Sequence, residues 1–457
     1  MMDSHGKVMY MEQTVPSGKH WDADETIQML TAADGLNPDK YIVATYYVET
    51  PSPDIVSYSV GVALQQTIGT WLKVQGQTPG LMEEHGGRVT QIFKVPSASQ
   101  SYFIQIAYPV SNVTSDFELL LATVMGEISW WVAESAGFAT KLLDLEFPEP
   151  FLREFSGPKF GLSGIREYLS VKDRPILNSM IKPCTGQHTD SHVRVFKETA
   201  FGGVDHIKDD EVLGDISINP LYERLSKCME IVDQKKSETG ESTMYSLNIT
   251  TRSDRILEKA EIAVQAGANG LMIDSSAGLG PLRMLAEDPS IRVPILYHPC
   301  FNGGMVASER SGLSFPLLAK LVRMAGADAM VLYSYLGKIP SATKNSNLQV
   351  LGQATCQLHS KKAMGCLLAA GIHPGLVPVL LNDFGPEIII GAGGAVHGHP
   401  DGSRAGARAM RQAIDAAINQ NSLEDAAKTH SELRVALEKW GTPKNIEEAK
   451  RLYALRG

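Results

Sequence analysis

Residues Phe201 to Glu211 read FGGVDHIKDDE. Val204 to Ile207 has the character of a strand, and Gly202-Gly203 supplies a turn ahead of it. Alternate side chains along a strand share a face. His206, Lys208 and Asp210 are therefore predicted to point one way, with Glu211 where the strand ends. A lysine among three acids is costly in a core but is good chemistry for a hard cation. Mg2+ takes a few carboxylate oxygens and leaves its other positions to water and substrate. Asp210 and Glu211 supply two such ligands, and Lys208 supplies a third only if its amine carries a carboxyl group as a carbamate. A charged, solvated βα turn would use the same residue types.

Outward from this stretch, short apolar runs recur with helical stretches between them. They are Ile176–Ile181, Val204–Ile207, Met244–Ile249, Gly270–Ile273, Pro294–Tyr297, Ala329–Leu332, Gly365–Ala369 and Glu387–Ile390. Alternating β and α predicts a parallel sheet, and eight units predict a closed (β/α)8 barrel. Polar residues follow these runs and do not precede them: Lys182, Lys208 to Glu211, Asn248, Asp274, His298, Ser334, His373 and Gly393-Gly394. That is the rim on which such barrels carry chemistry. Gly371 and the run Gly391-Ala-Gly-Gly follow the last two strands, where glycine lets backbone N–H groups approach a phosphate. Lys182, in IKPCTG at the first strand's end, is placed to act as a base if a nearby cation lowers its pKa.

Upstream the texture differs. IVATYYVET from residue 42 alternates as a strand should, Ile55 to Leu72 reads as a helix, and Arg88–Val95 and Ser101–Ala107 read as strands. A helix over about Asp116 to Gly126 and the apolar run Leu142–Phe147 complete a small α+β unit. The link Phe147-Pro148-Glu149-Pro150 and SGPKFG at 156–161 mark a boundary. The expected organisation is an extension over 1–40, an α+β (ferredoxin-like) domain over 41–150, the barrel over 151–425 and closing helices over 426–457.

The chain has 457 residues, 43% apolar and 20% charged, the composition of a soluble globular protein. A net charge of -9 argues against nucleic acid and anionic membrane as partners. The five cysteines are scattered, without CxxC spacing. They suggest a reducing compartment and no zinc site. The first residues, MMDSHGKVMYMEQ, have no apolar core of signal-peptide type, and no window approaches ~18 uninterrupted apolar residues. The expectation is a cytoplasmic protein.

Over about residues 41–425 the arrangement resembles the large subunit of RuBisCO and, more closely, the RuBisCO-like proteins. GGVDHIKDDE matches that family's activation segment. The match implies a carbamylated Lys208, with CO2 as the source of the carbamate, and Asp210 and Glu211 as Mg2+ ligands. IKP at 181–183 matches the segment whose lysine, here Lys182, abstracts a proton. TIGTW implies that Thr70 and Trp71 reach the phosphate of a neighbouring subunit's site, so that the active site lies across a homodimer interface. AGIHPG and GAGGAVHGHP imply phosphate-binding turns at Gly371, Gly393 and Gly394. His298 matches an active-site histidine, and GKIP places Lys338 as the mobile-loop lysine.

The departures narrow the chemistry. RuBisCO's second-phosphate arginine, histidine and serine are replaced by Pro299, Val331 and Ala369. Its lysine two residues beyond Lys182 is Cys184, its N-terminal-domain glutamate is Gln65, and its metal-adjacent asparagine is Glu127. LDLEFP, GPKFG, AGIHPGLVP and HGHPDG resemble the diketo-methylthiopentyl-phosphate enolases of methionine salvage. Those carry a lysine base at the position of Glu127 and lack the loop lysine that Lys338 preserves. The resemblance implies a Mg2+-dependent enolase or isomerase acting on a small phosphorylated keto-sugar, a monophosphate, with Lys182 or Glu127 as the base. Decarboxylation or C–C cleavage through the same enediolate, and a non-catalytic regulatory protein, are the alternatives.

Overall fold

The structure is a computed structural model that describes residues 23–31, 35–69, 74–98, 100–132, 137–443 and 447–449. The chain forms two compact units. One comprises the chain through Phe155 together with Gly303–Leu318, and the other comprises Ser156–Asn302 and the chain from Ala319.

The first unit holds β1 (Tyr41–Glu49), β2 (Arg88–Lys94), β3 (Ser101–Pro109) and β4 (Ala139–Glu146). The alternation in β1 is real: Ile42, Ala44, Tyr46 and Val48 are all buried, and the residues between them less so. β1 pairs antiparallel with both β3 and β4, and β2 pairs antiparallel with β3. The Tyr46 hydroxyl donates to Val124 O at 2.7 Å, tying the sheet to the helix Phe117–Met125. The helix expected over Ile55–Leu72 is shorter, Ile55–Gln65. Its end is unwound by local bonds: Thr67 Oγ1 donates back to Ala63 O at 2.7 Å, and the Gly69 amide reaches Leu64 O at 2.6 Å.

The second unit is the barrel. Its strands are β5 (Ile176–Met180), β6 (His206–Lys208), β7 (Met244–Asn248), β8 (Gly270–Asp274) and β9 (Ile295–His298). Between β9 and the next barrel strand the chain supplies β10 (Ser311–Leu313), which belongs to the first unit and runs parallel to β4. The first unit's sheet order is therefore β10-β4-β1-β3-β2. The barrel is completed by β11 (Ala329–Tyr333), β12 (Gly365–Ala369) and β13 (Ile389–Gly391), closing in the order β11-β12-β13-β5-β6-β7-β8-β9.

Every predicted run became a barrel strand, with small shifts. The run expected at Val204–Ile207 pairs only from His206 to Lys208, because the Asp205 side chain is used instead to accept from the Leu177 amide and to bind Arg174. The last strand ends one residue later than expected, at Gly391. The helix Gly161–Leu169 packs Leu162, Ile165 and Leu169 into the same apolar cluster as Ile176, Met244 and Ile389, the first residues of their strands. The N-terminal end of the barrel is thus filled with hydrocarbon, and the polar strand ends lie at the other mouth. No helix among the described residues is long and apolar enough to cross a membrane.

Candidate active site at the barrel mouth

Lys208 is the last residue of β6 and points into the barrel, where it is 1% exposed. Its Nζ donates to Asp209 O at 2.8 Å, touches Met272 Sδ at 3.6 Å and lies 3.8 Å from Glu211 Oε2. Burial drives the Lys208 pKa down, against the pull of Glu211 and Asp210.

Of the three acids after Lys208, Asp209 turns one way and Asp210 and Glu211 the other. Asp209 points away from the barrel interior. Its oxygens accept from Tyr245 OH at 2.6 Å, Arg224 Nη2 at 3.2 Å and the Asn248 amide at 3.0 Å, with both charged groups fully buried. Asn248, at the end of β7, donates from Nδ2 to Glu211 O at 3.1 Å and to Asp210 O at 3.3 Å. The turn is therefore nailed down from behind by Asp209 and from the side by Asn248. Asp210 and Glu211 are left with their carboxylates at the mouth.

Lys182 forms a close ion pair with Asp210 Oδ2 and also donates to Cys184 Sγ at 3.0 Å. Burial and these contacts act on its pKa in opposite directions. Burial pulls the pKa down, but Asp210 and then Cys184 outweigh it, and the net shift is upward. Asp210 is buried, yet the Lys182 and Lys208 ammonium groups hold its carboxyl below the usual range. Lys182 is thus the counter-cation of a carboxylate expected to bind metal.

His298 ends β9, with Nε2 3.3 Å from Glu211 Oε2 and Nδ1 3.9 Å from Asp274 Oδ2. Desolvation, reinforced by Lys208, holds it neutral, with its pKa well below the ordinary value. Direct contacts therefore join Lys182 to Asp210, and Lys208 and His298 to Glu211.

The other expected residues lie further round the rim or in the first unit. Gly371 follows β12 with φ +115°, a conformation that favours glycine. Gly393 opens the short helix Gly393–His397 after β13, and a Cβ there would sit 2.3 Å from Met180 Sδ. Gly394 has open space at its Cα. Lys338 has an exposed side chain, while its amide donates to Ala370 O at 2.8 Å. Glu127, in the first unit, accepts from Gln65 Nε2 at 2.6 Å. Two of the departures noted above thus face each other, an acid and an amide that have exchanged places. Thr70 and Trp71 lie outside the described residues.

A parallel eight-stranded barrel with a lysine and two carboxylates at the end of its second strand, together with a separate α+β unit, defines an α/β-barrel protein with charged groups at its mouth. Residues 161–440 match the catalytic domain of the ribulose bisphosphate carboxylase large chain, and residues 33–151 match its N-terminal domain. The chain belongs to the ribulose bisphosphate carboxylase large-chain family. It is 40% identical over 397 residues to a ribulose bisphosphate carboxylase-like protein of Archaeoglobus fulgidus, covering 84% of this chain and 89% of that protein. It is 36% identical over 415 residues to a 2,3-diketo-5-methylthiopentyl-1-phosphate enolase of Geobacillus kaustophilus, covering 88% of this chain and 98% of the enzyme. Among solved structures, the octameric ribulose-1,5-bisphosphate carboxylase/oxygenase of Pyrococcus horikoshii superposes with a TM-score of 0.84 at 30% identity. That match covers 92% of this chain and 98% of that one.

Reading along the chain picked out the strand-end residues but not their partners. The Lys182–Asp210 pair, the Arg224–Tyr245–Asn248 cradle of Asp209 and the contact of Cys300 with Asp274 were all missed. For Asp209 a signal existed: strand alternation places it opposite Lys208 and Asp210, facing the helix layer.

Proposed function

We propose that the protein is a Mg2+-dependent enolase or isomerase that enolises a ketose or diketose monophosphate, and that it does not carboxylate a bisphosphate. The observation that carries this reading is the fate of two positions in the barrel. Val331 and Ala369, which stand where RuBisCO binds a second phosphate, are 1% and 3% exposed and belong to the barrel's apolar cluster. A second phosphate left unpaired against them would cost several kcal/mol. The relative named 2,3-diketo-5-methylthiopentyl-1-phosphate enolase supports a substrate with one phosphate.

The residues at the mouth fit the metal. Asp210 and Glu211 offer hard oxygen ligands, and Lys208, buried with its pKa lowered, offers a third once carbamylated. When bound, Mg2+ supplies Lewis-acid polarisation of the substrate's carbonyl. His298, kept neutral, sits against Glu211, one of these ligands. Gly371, Gly393 and Gly394 hold the phosphate, with Lys338 closing over it, and Thr70 and Trp71 reach it from a second copy in a homodimer. The neighbour from Pyrococcus horikoshii is octameric, which agrees with an assembly built from such pairs.

Lys182 takes the proton from the carbon next to the carbonyl. It does so as the neutral amine, after its pair with Asp210 opens and the ammonium releases a proton to solvent, because an ammonium has no lone pair to give. Glu127 is the competing base, and its partner Gln65 keeps it oriented. The test is exchange of the substrate's α-proton in deuterium oxide with the Mg2+- and CO2-activated protein. Lys182→Ala should abolish exchange while phosphate-ligand binding stays within a few fold. Exchange that survives in Lys182→Ala but is lost in Glu127→Gln would reverse the assignment, and the absence of exchange with any keto-sugar monophosphate would overturn the function.

A further inference from the structure

Asp274, His298 and Cys300 converge where β8 and β9 end, and one ligand atom from each lies within 4.8 Å of the other two. Asp274 Oδ1 is engaged by the Ser276 amide at 2.8 Å, which leaves Oδ2 facing the cluster. Cys300 Sγ donates its proton to that oxygen at 2.6 Å. His298 is 4% exposed, and its Nδ1 is buried without any hydrogen-bond partner. Its Nε2, 3.3 Å from Glu211 Oε2, is the nitrogen with a carboxylate to donate to. With the ring proton there, Nδ1 holds a lone pair aimed into the cluster with nothing to accept. A histidine that gives one nitrogen's proton to a carboxylate and leaves the other bare is the form in which histidine binds a metal.

We propose that Asp274, His298 and Cys300 form a three-ligand site for one borderline-soft divalent ion of the Zn2+ type, separate from the Mg2+ group of Lys208, Asp210 and Glu211. The donor set decides the ion class. A thiolate and an imidazole favour Zn2+ or Co2+ over Mg2+, and a single carboxylate adds charge without making the site hard. Three protein ligands leave a fourth position for water. Binding breaks the Cys300 S–H bond, forms a sulfur–metal bond and releases the proton to solvent. The absence of CxxC spacing had pointed away from zinc, since these ligands come from two neighbouring strand ends and no local motif announces them.

Co2+ reports on such a site without reference to catalysis, so a negative result here is distinct from failure of the enolase reading. The full-length protein, stripped with chelator and then saturated with Mg2+, is titrated anaerobically with Co2+. One Co2+ per chain is expected, with tetrahedral visible absorption and a sulfur-to-cobalt charge-transfer band in the near ultraviolet. Cys300→Ser should lose that band. Asp274→Asn should keep it but weaken Co2+ binding by about 10- to 100-fold, the scale of a perturbed metal shell. Cys184→Ser and Asp210→Asn, which alter the neighbouring thiol and the Mg2+ group, should retain the band, and circular dichroism checks that each variant is folded. The proposal is overturned if the folded wild type shows no charge-transfer band, if the band survives Cys300→Ser, or if it disappears in Cys184→Ser or Asp210→Asn.

Discussion

Asp209→Asn tests whether the turn after Lys208 is held from behind. The wild-type carboxylate meets Arg224 at 3.2 Å, Tyr245 OH at 2.6 Å and the Asn248 amide at 3.0 Å, and both ionic side chains are completely buried. An amide of the same shape can still accept from one of the neutral donors, but it leaves the Arg224 guanidinium as a buried cation without an anion. Arg224 keeps only its bonds to the carbonyls of Asn219, at 2.7 Å, and Gly214, at 3.4 Å, and to Tyr245 at 3.3 Å. Breaking a buried pair from one side costs about 3–5 kcal/mol. Removing both charges with residues of similar volume costs far less. The expected pattern in denaturant unfolding of the barrel is therefore a loss of about 3–5 kcal/mol for Asp209→Asn and for Arg224→Met, with the double variant much less destabilised than their sum. Singles that cost under about 1 kcal/mol, or a double variant equal to the sum, would refute the argument.

Three further outcomes follow from the same geometry. His192 is 1% exposed, and desolvation holds its pKa at about 4, against about 6.5 in an unfolded chain. Between those values the unfolded state binds a proton that the folded state does not. His192 therefore makes stability fall as the pH drops from about 6.5 towards 4, by up to about 1.4 kcal/mol per unit, alongside His206 and His397, so His192→Gln should lessen the slope by about that amount; an unchanged pH–stability curve would count against it. Activity should require both Mg2+ and CO2, with isotopically labelled carbamate trapped on Lys208 and lost in Lys208→Ala; an unmodified Lys208 in fully active protein would contradict this. Ribulose bisphosphate should not be carboxylated, because Val331 and Ala369 offer a second phosphate no partner; labelled CO2 fixed into acid-stable product above the Lys208→Ala background would show otherwise.

The barrel was legible along the chain for a physical reason. Parallel strands covered on both faces are continuous apolar runs, and polar residues can follow them only where the mouth admits water and substrate. Ile176, Met244 and Gly365 open their strands where the pattern placed them, and Lys208, Asn248, Asp274 and His298 end theirs. Strand alternation also separates Asp209 from Lys208 and Asp210, because it acts over neighbours in sequence. What the sequence alone determined was therefore which residues reach the rim. The tertiary structure decided which of them touch, because those contacts join residues far apart in the chain and depend on strand order and register. Lys182 finds Asp210 because β5 pairs with β6. Asp274 meets His298 because β8 and β9 run in register to their last residues, and Cys300 then turns back onto Asp274. The strand Ser311–Leu313 belongs to the first unit because it finds its parallel partner in β4, a pairing no local pattern encodes.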